Sequence, residues 1–348
     1  MKHVYTIAIV LVVFIALGLV AIFSDSDGST STSVEYMQYR EVVNPSGFIN
    51  TDESITIGQF VGRKVVLIDF MTYSCINCQR TLPYLHSWYE KYSDKGLQII
   101  AIHTPEFAFE KDIENVRKAA KGFDIKYPIV LDNDYSTWRA YENKYWPRKY
   151  LIDIHGNIVY DHIGEGAYDE TEMKIQELLE ERANFLGEDS EGISSIGIEN
   201  EVRNISTNSP EVYFGFARNE YLTNGVAGKT GEQEFTIPNE FILNKLYLKG
   251  TWNIQREYAE SVENSSIFFR YKAKEVYFVA ESDNGVEIEI WQDGELVDSV
   301  SGESVSGGSV FVQESQLYKL IKNTESGEHL LEIRVKDGSL HAYTFTFG

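Results

Sequence analysis

Two cysteines occur in the 348-residue chain, three positions apart in the run Cys75-Ile76-Asn77-Cys78. Where such a motif opens a helix, the second sulfur lies one turn behind the first. The first thiol then faces free backbone N–H groups and the positive end of the helix dipole, which stabilise a thiolate. Cys75 is thus the expected nucleophile. Cys78 is the expected resolving thiol, attacking a mixed disulfide formed at Cys75. Two blander chemistries compete. Structural zinc needs about four ligands, and without a second cysteine pair both His86 and His103 would have to converge on the pair. A structural disulfide would close so short a loop that it would restrict the unfolded chain very little.

Two further positions bear on this chemistry. Asp69 is an acid inside an otherwise apolar run, Val65-Val66-Leu67-Ile68-Asp69-Phe70. A buried carboxylate is costly, so it is a candidate to accept the Cys78 proton, the alternative being an acid at a solvated strand edge. Trp146-Pro147 precedes a strand; a cis bond there would bring backbone beside the cysteines, whereas a trans bond would make it an ordinary strand entry.

The elements that must hold these residues alternate. Val65–Phe70, Leu97–Ile102 and Tyr127–Leu131 read as buried strands. Helices are expected over Cys75–Tyr92, Asp112–Lys121, Ser136–Tyr145 and Asp169–Arg182, with Pro83 inside the first. Tyr150–Ile154 and Ile158–His162 flank a hairpin turn at His155-Gly156-Asn157. This is an α/β arrangement over residues 44–184. A Ser-, Gly-, Glu- and Asn-rich linker, 185–210, follows. Residues 211–348 show recurrent strand patterns, among them Ile267–Tyr271, Glu275–Ala280 and Val286–Gln292, with turns at Asp293-Gly294 and Asp337-Gly338, and are expected to form an all-β sandwich of jelly-roll type.

Before these, residues 1–43 carry an anchor and tether. Val4–Phe23 is uncharged and long enough to cross a bilayer, with Lys2 before it and acids after it. The expected product is a single span with the body outside the cytoplasm; a cleaved signal peptide would give the same location. The formal charge of −22 excludes a basic nucleic-acid-binding surface, and 22 Tyr with 19 Phe exclude a disordered chain. Residues 184–348 hold 13 basic and 27 acidic groups against 16 and 22 in 44–183, so the acidity belongs mainly to the β half.

Phe48 to Leu179 resembles the thioredoxin-like extracytoplasmic region of DipZ-type proteins, within the wider TlpA/ResA-like thioredoxin group. The resemblance is carried by Val65–Phe70, Thr72-Tyr73-Ser74-Cys75-Ile76-Asn77-Cys78-Gln79-Arg80-Thr81-Leu82-Pro83, His103-Thr104-Pro105-Glu106-Phe107, Tyr145-Trp146-Pro147, Tyr150-Leu151-Ile152-Asp153 and Gly164-Glu165-Gly166. The β half is similar to the carbohydrate-binding-module-like sandwich that follows in those proteins. The resemblance implies a thioredoxin fold and a membrane-tethered thiol–disulfide oxidoreductase with no cofactor beyond its own cysteines. Cys75 and Cys78 become the redox pair and Asp69 the buried proton acceptor. Glu106 becomes a second proton carrier, and Trp146, Pro147, Ile76 and Asn77 the substrate-contacting surface. Implied partners are disulfide-bearing proteins, a separate membrane electron donor, and a glycan or protein ligand on the sandwich. The chain departs from the pattern in having Met71 where a Trp is usual, and one span where those proteins have many.

Two other functions remain open on the sequence. Thr72-Tyr73-Ser74-Cys75 matches the Thr-x-x-Cys of peroxiredoxins, although Ile68 stands where their Pro belongs. A glycan-binding module with an accessory redox domain would use exposed aromatics such as Trp252 and Trp291, unless these fill the core. Ile76-Asn77 adds no charge between the thiols, which favours a reductant over a strong oxidant.

Overall fold

The computed structural model describes residues 36–51, 54–193 and 209–348. The expected span, the tether as far as residue 35, and residues 194–208 of the expected linker lie outside them; Met37–Gln38, placed in the tether by the sequence, instead pair with Asn157 and Ile158 as an edge of the first sheet. No helix among the described residues is long and apolar enough to cross a membrane.

The first half contains strands β1 (Met37–Gln38), β2 (Gly47–Ile49), β3 (Val65–Met71), β4 (Leu97–His103), β5 (Ile129–Leu131), β6 (Arg148–Ile152) and β7 (Asn157–Ile163). Its helices are α1 (Ile76–Tyr92), α2 (Ile113–Gly122), α3 (Ser136–Ala140) and α4 (Tyr168–Leu186). The sheet order is β1-β7-β6-β3-β4-β5-β2, parallel across β3-β4-β5 and antiparallel at its other pairings. Every residue of β3 and β4 is buried, as befits parallel strands covered on both faces. Alternate side chains feed two layers. Val65, Leu67 and Met71 pack with Leu82, Leu85 and Trp88 of α1 and with Ile175, Leu178 and Leu179 of α4. Val66, Ile68 and Phe70 pack instead with Trp138, Tyr141 and Tyr150. α3 stops at Ala140, well before the expected Tyr145, because Tyr141 and Glu142 leave helical geometry and Glu142 has a left-handed φ of 51°. At the expected hairpin turn, Gly156 takes a φ of 87°, which only glycine adopts without strain.

The second half is all β: β8 (Val212–Tyr213), β9 (Gly231–Phe235), β10 (Leu246–Ile254), β11 (Ala259–Glu281), β12 (Val286–Gln292), β13 (Glu295–Leu296), β14 (Ser309–Val312), β15 (Gln316–Val335) and β16 (His341–Phe347). The separate strands expected at Ile267–Tyr271 and Glu275–Ala280 are one strand, β11. Register shifts between Ala273 and Glu275 and between Val276 and Tyr277 break the regular pairing that a single long run would show. Both Ala259 and Ala280 of β11 oppose Ala342 of β16, so the nine-stranded network curls back on itself. It encloses a core that includes Trp252, Phe269, Phe278 and Phe345.

The halves meet through an apolar cluster. Ile76 and Phe107 of the first pack with Tyr277, Val279, Leu317 and Tyr343 of the second. Ion pairs ring the contact: Arg218–Glu106 at 2.8 Å, Lys118–Glu314 at 2.6 Å and Arg80–Glu275 at 3.6 Å. Tyr343 stands edge-on to Phe107 and Phe109 at 5.0 and 4.9 Å. Removing this ring should cost about 3 kcal/mol of docking energy. Tyr343→Ala is therefore expected to enlarge the particle in solution scattering and to separate the two halves' unfolding transitions. An unchanged scattering curve with a single unchanged melt would contradict this packing.

Candidate active site

The site begins where β3 ends. Thr72, Tyr73 and Ser74 carry the chain from the sheet to α1, and Cys75 is the residue that caps the helix. Its φ and ψ of −79° and 118° are extended, and its sulfur accepts from the Cys78 backbone N–H at 3.4 Å. Sulfur thus takes the role an oxygen usually plays at a helix start, facing the N–H groups of the first turn. Both thiols are free; Cys75 is partly exposed and Cys78 is buried. Burial pushes the Cys78 thiol well above its ordinary value, and the neighbouring Cys75 and Asp69 push it further. A thiol held neutral in this way needs a base before it can attack.

Asp69 sits on the same face of β3 as Leu67 and Met71, toward α1. It is 1% exposed, and its Oδ1 has no hydrogen-bond partner. Burial raises its carboxyl to about 7, with Lys149 opposing the rise. Lys149 is the cross-strand partner of Asp69 on β6 and is fully buried, its Nζ donating to the Gly164 carbonyl at 3.3 Å. Burial lowers the Lys149 ammonium, against the pull of Asp69 and Cys78. Tyr127, also fully buried in effect, has a phenol raised well above its usual value by burial and by the nearby charges of Asp69 and Cys78. Lys149 had no place in the sequence reading, and Tyr127 entered it only as the start of an expected strand that in fact begins at Ile129. The strand expected from Tyr150 in fact begins at Arg148, and this brings Lys149 into the sheet.

The Trp146-Pro147 bond is cis. Trp146 packs in the same core cluster as Cys75, against Trp138 at 4.4 Å, and its Nε1 donates to the Thr104 carbonyl at 3.1 Å. The Pro147 carbonyl accepts from Gly164 N–H at 2.8 Å, joining the proline loop to the Gly164-Glu165-Gly166 turn. Asn77 is partly exposed, its Oδ1 accepting from Arg80. Ile76, expected to touch substrate, is 5% exposed because Tyr277 and Leu317 of the β half cover it. Glu106, expected as a second proton carrier, turns to the β half instead. Its Oε1 accepts from Arg218 and from the Tyr213 hydroxyl, both at 2.8 Å. The acid buried behind the cysteine loop is Glu110, whose Oε1 accepts from the Ser74 hydroxyl at 2.6 Å. His103 is fully buried and held down to about 3 by that burial, so it is a neutral structural group against Thr72 and Tyr73.

A parallel β-α-β core with a C-x-x-C at the first helix and a cis-proline immediately before β6 defines the thioredoxin class of dithiol proteins. Residues 47–179 match the Redoxin family, and residues 209–348 match the family described as a thioredoxin-like C-terminal domain. Thiol-disulfide oxidoreductase ResA of Bacillus thuringiensis is 31% identical over 135 residues, 38% of this chain and 72% of that protein. YkuV of Bacillus subtilis, a thiol-disulfide oxidoreductase, is 28% identical over 40% of this chain and 93% of its own length. Protein DipZ of Mycobacterium bovis is 34% identical over 307 residues, which is 87% of this chain and 42% of DipZ. The chain belongs to the ResA-like thiol–disulfide oxidoreductases, and it is homologous to DipZ through both halves while spanning less than half of DipZ's length.

The Asp69 carboxyl makes stability pH-dependent. The folded protein keeps this proton up to about pH 7, whereas the unfolded chain releases it from its ordinary 3.8. The folded state therefore binds the extra proton, and stability falls as pH rises through that window, by an amount on the order of 4 kcal/mol. Asp69→Asn should be the more stable protein at pH 8 and should lose this slope in denaturant titrations. Parallel slopes for the two proteins between pH 4 and 8 would refute the assignment.

Proposed function

We propose that the protein is a membrane-anchored, extracytoplasmic thiol–disulfide oxidoreductase that reduces disulfides in protein substrates. The observation that carries this reading is the placement of the Cys75 sulfur at the start of α1, with Cys78 behind it and Asp69 below. The uncharged run Val4–Phe23 supports the anchor, and the likeness to ResA and DipZ supports the chemistry.

In the proposed cycle, the Cys75 thiolate attacks one sulfur of a substrate disulfide. The other substrate sulfur leaves as a thiolate and takes a proton from water. Cys78 gives its proton to the Asp69 carboxylate and attacks the Cys75 sulfur of the mixed disulfide. The second substrate thiolate is released, and two electrons have passed from the protein to its substrate, leaving a Cys75–Cys78 disulfide. A separate membrane dithiol donor restores the reduced pair. Pro147, Trp146 and Asn77 supply the substrate-facing surface beside Cys75, and Ile76 joins it only where the β half is lifted away.

The two alternatives have less behind them. For a peroxidase, Thr72 would have to serve the Cys75 sulfur, and its Oγ1 lies against His103 Nε2 at 3.5 Å. For glycan stacking, Trp252 is fully buried, and the Trp291 ring is covered by the Arg334 guanidinium at 3.9 Å.

Cys78→Ser should accumulate a mixed disulfide between Cys75 and substrate, visible as an adduct on non-reducing gels and by mass spectrometry. Cys75→Ser should form none and should lower protein-disulfide reduction by at least about a thousandfold. Equal adduct yields from the two variants would defeat the assignment of nucleophile and resolving thiol.

A further inference from the structure

The carboxylate of Glu110 has no part in the cycle above, yet it is fully buried and its hydrogen bonds join two functional segments. It stands in the 3-10 turn Ala108–Lys111. Its Oε2 accepts from the backbone N–H groups of Glu106 and Phe107 at 2.6 and 3.0 Å. That is the reach-back bond of a capping box, and it accounts for one oxygen. Its Oε1 does something else. It crosses to the loop before α1 and accepts from Ser74 Oγ at 2.6 Å and Ser74 N–H at 3.3 Å. Ser74 is bonded directly to Cys75.

The other end of this link lies in the β half. The two residues whose N–H groups bind Oε2 are the ones the β half grips through their side chains. Glu106 bonds Arg218 and Tyr213, and the Phe107 ring packs on Tyr343 at 5.0 Å. The next N–H, that of Ala108, donates to Glu257 Oε2 at 2.8 Å. One buried side chain therefore connects the residue before the nucleophile to the segment on which the second domain docks. Buried carboxylates with several donors are rigid, since loss of any one bond leaves a desolvated charge.

We propose that Glu110 is a positioning residue for Cys75: through Ser74 it holds the sulfur in its helix-capping place, and through residues 106–108 it makes that placement depend on docking of the β domain. The proposal rests on Cys75 being the nucleophile. The charged groups around this region include Glu106 and Asp112 and, from the β half, Arg218, Glu211, Glu257, Glu281 and Glu314. His103, against Thr72 and Tyr73 of the cysteine loop, is neutral.

The test uses variants that keep the charge of Glu110. Glu110→Asp is one methylene shorter and cannot hold Ser74 and residues 106–107 together; Ser74→Ala removes the 2.6 Å bond alone. In the reduced full-length protein, the rate of iodoacetamide labelling at Cys75 is followed against pH by peptide mass spectrometry, with thermal melts to confirm folding. With the sulfur loosened from the helix start, the labelling midpoint should move to higher pH in both variants. The Glu110→Asp rate at neutral pH should fall about tenfold. Arg218→Ala should move the midpoint the same way in the wild-type background and add nothing in Glu110→Asp. Midpoints that stay put or move down in Glu110→Asp and Ser74→Ala would overturn the positioning role. An Arg218→Ala effect that is absent, or that adds in full to Glu110→Asp, would overturn the link to the β domain. Labelling needs neither substrate nor electron donor. A wild-type protein that fails to reduce protein disulfides would thus refute the proposed function without touching this result.

Discussion

The reactive pair depends on one costly arrangement. Asp69 and Lys149 face each other across adjacent strands with almost no access to water, directly under the helix that carries the thiols. Burying an acid and an amine costs several kcal/mol for each ion, and attraction between them recovers it only in good geometry. Here the geometry is incomplete, because one Asp69 oxygen has no partner. The central strands β3 and β4, buried along their whole length, are what can hold such a group in place. Its consequence is chemical: a carboxyl near neutrality beside a thiol that must lose a proton.

The second constraint is spatial. Part of the surface around the start of α1 is occupied by the β half. Ile76 lies in the seam, and Tyr73 donates through its hydroxyl to the Ser315 carbonyl at 2.9 Å. Arg80, one turn along α1, bonds the Tyr277 hydroxyl at 3.1 Å and pairs with Glu165 of the first half at 3.3 Å. The domain that looked like a separate binding module is thus part of the wall of the redox site. Substrate access and domain docking become a single physical question.

Much of this was legible in the sequence, for reasons that differ by residue. The strands β3 and β4 announced themselves as short apolar runs, and β12 at Val286–Gln292 followed its alternation to the residue. Cys75 and Cys78 were identifiable because helix-start chemistry is local and needs only spacing. Asp69 was conspicuous because an acid interrupts an apolar run. Lys149 was not, since its meaning lies in register: only pairing β6 with β3 sets it opposite Asp69. Glu106 and Glu110 show the same limit. Both are acids four residues apart in one loop, and sequence could not say which turns inward to Ser74 and which outward to Arg218. The covering of Ile76 depends on contacts some two hundred residues away in the chain and has no local signature at all.

In the proposed cycle this site gives electrons to substrate disulfides. Equilibration of the full-length protein with defined ratios of reduced and oxidised dithiothreitol, read by trapping free Cys75 and Cys78, yields the potential of the pair directly. A reductant of this kind has a value more negative than about −180 mV, on the reducing side of the disulfide isomerases. A value near about −120 mV, that of a strong oxidant, would contradict it.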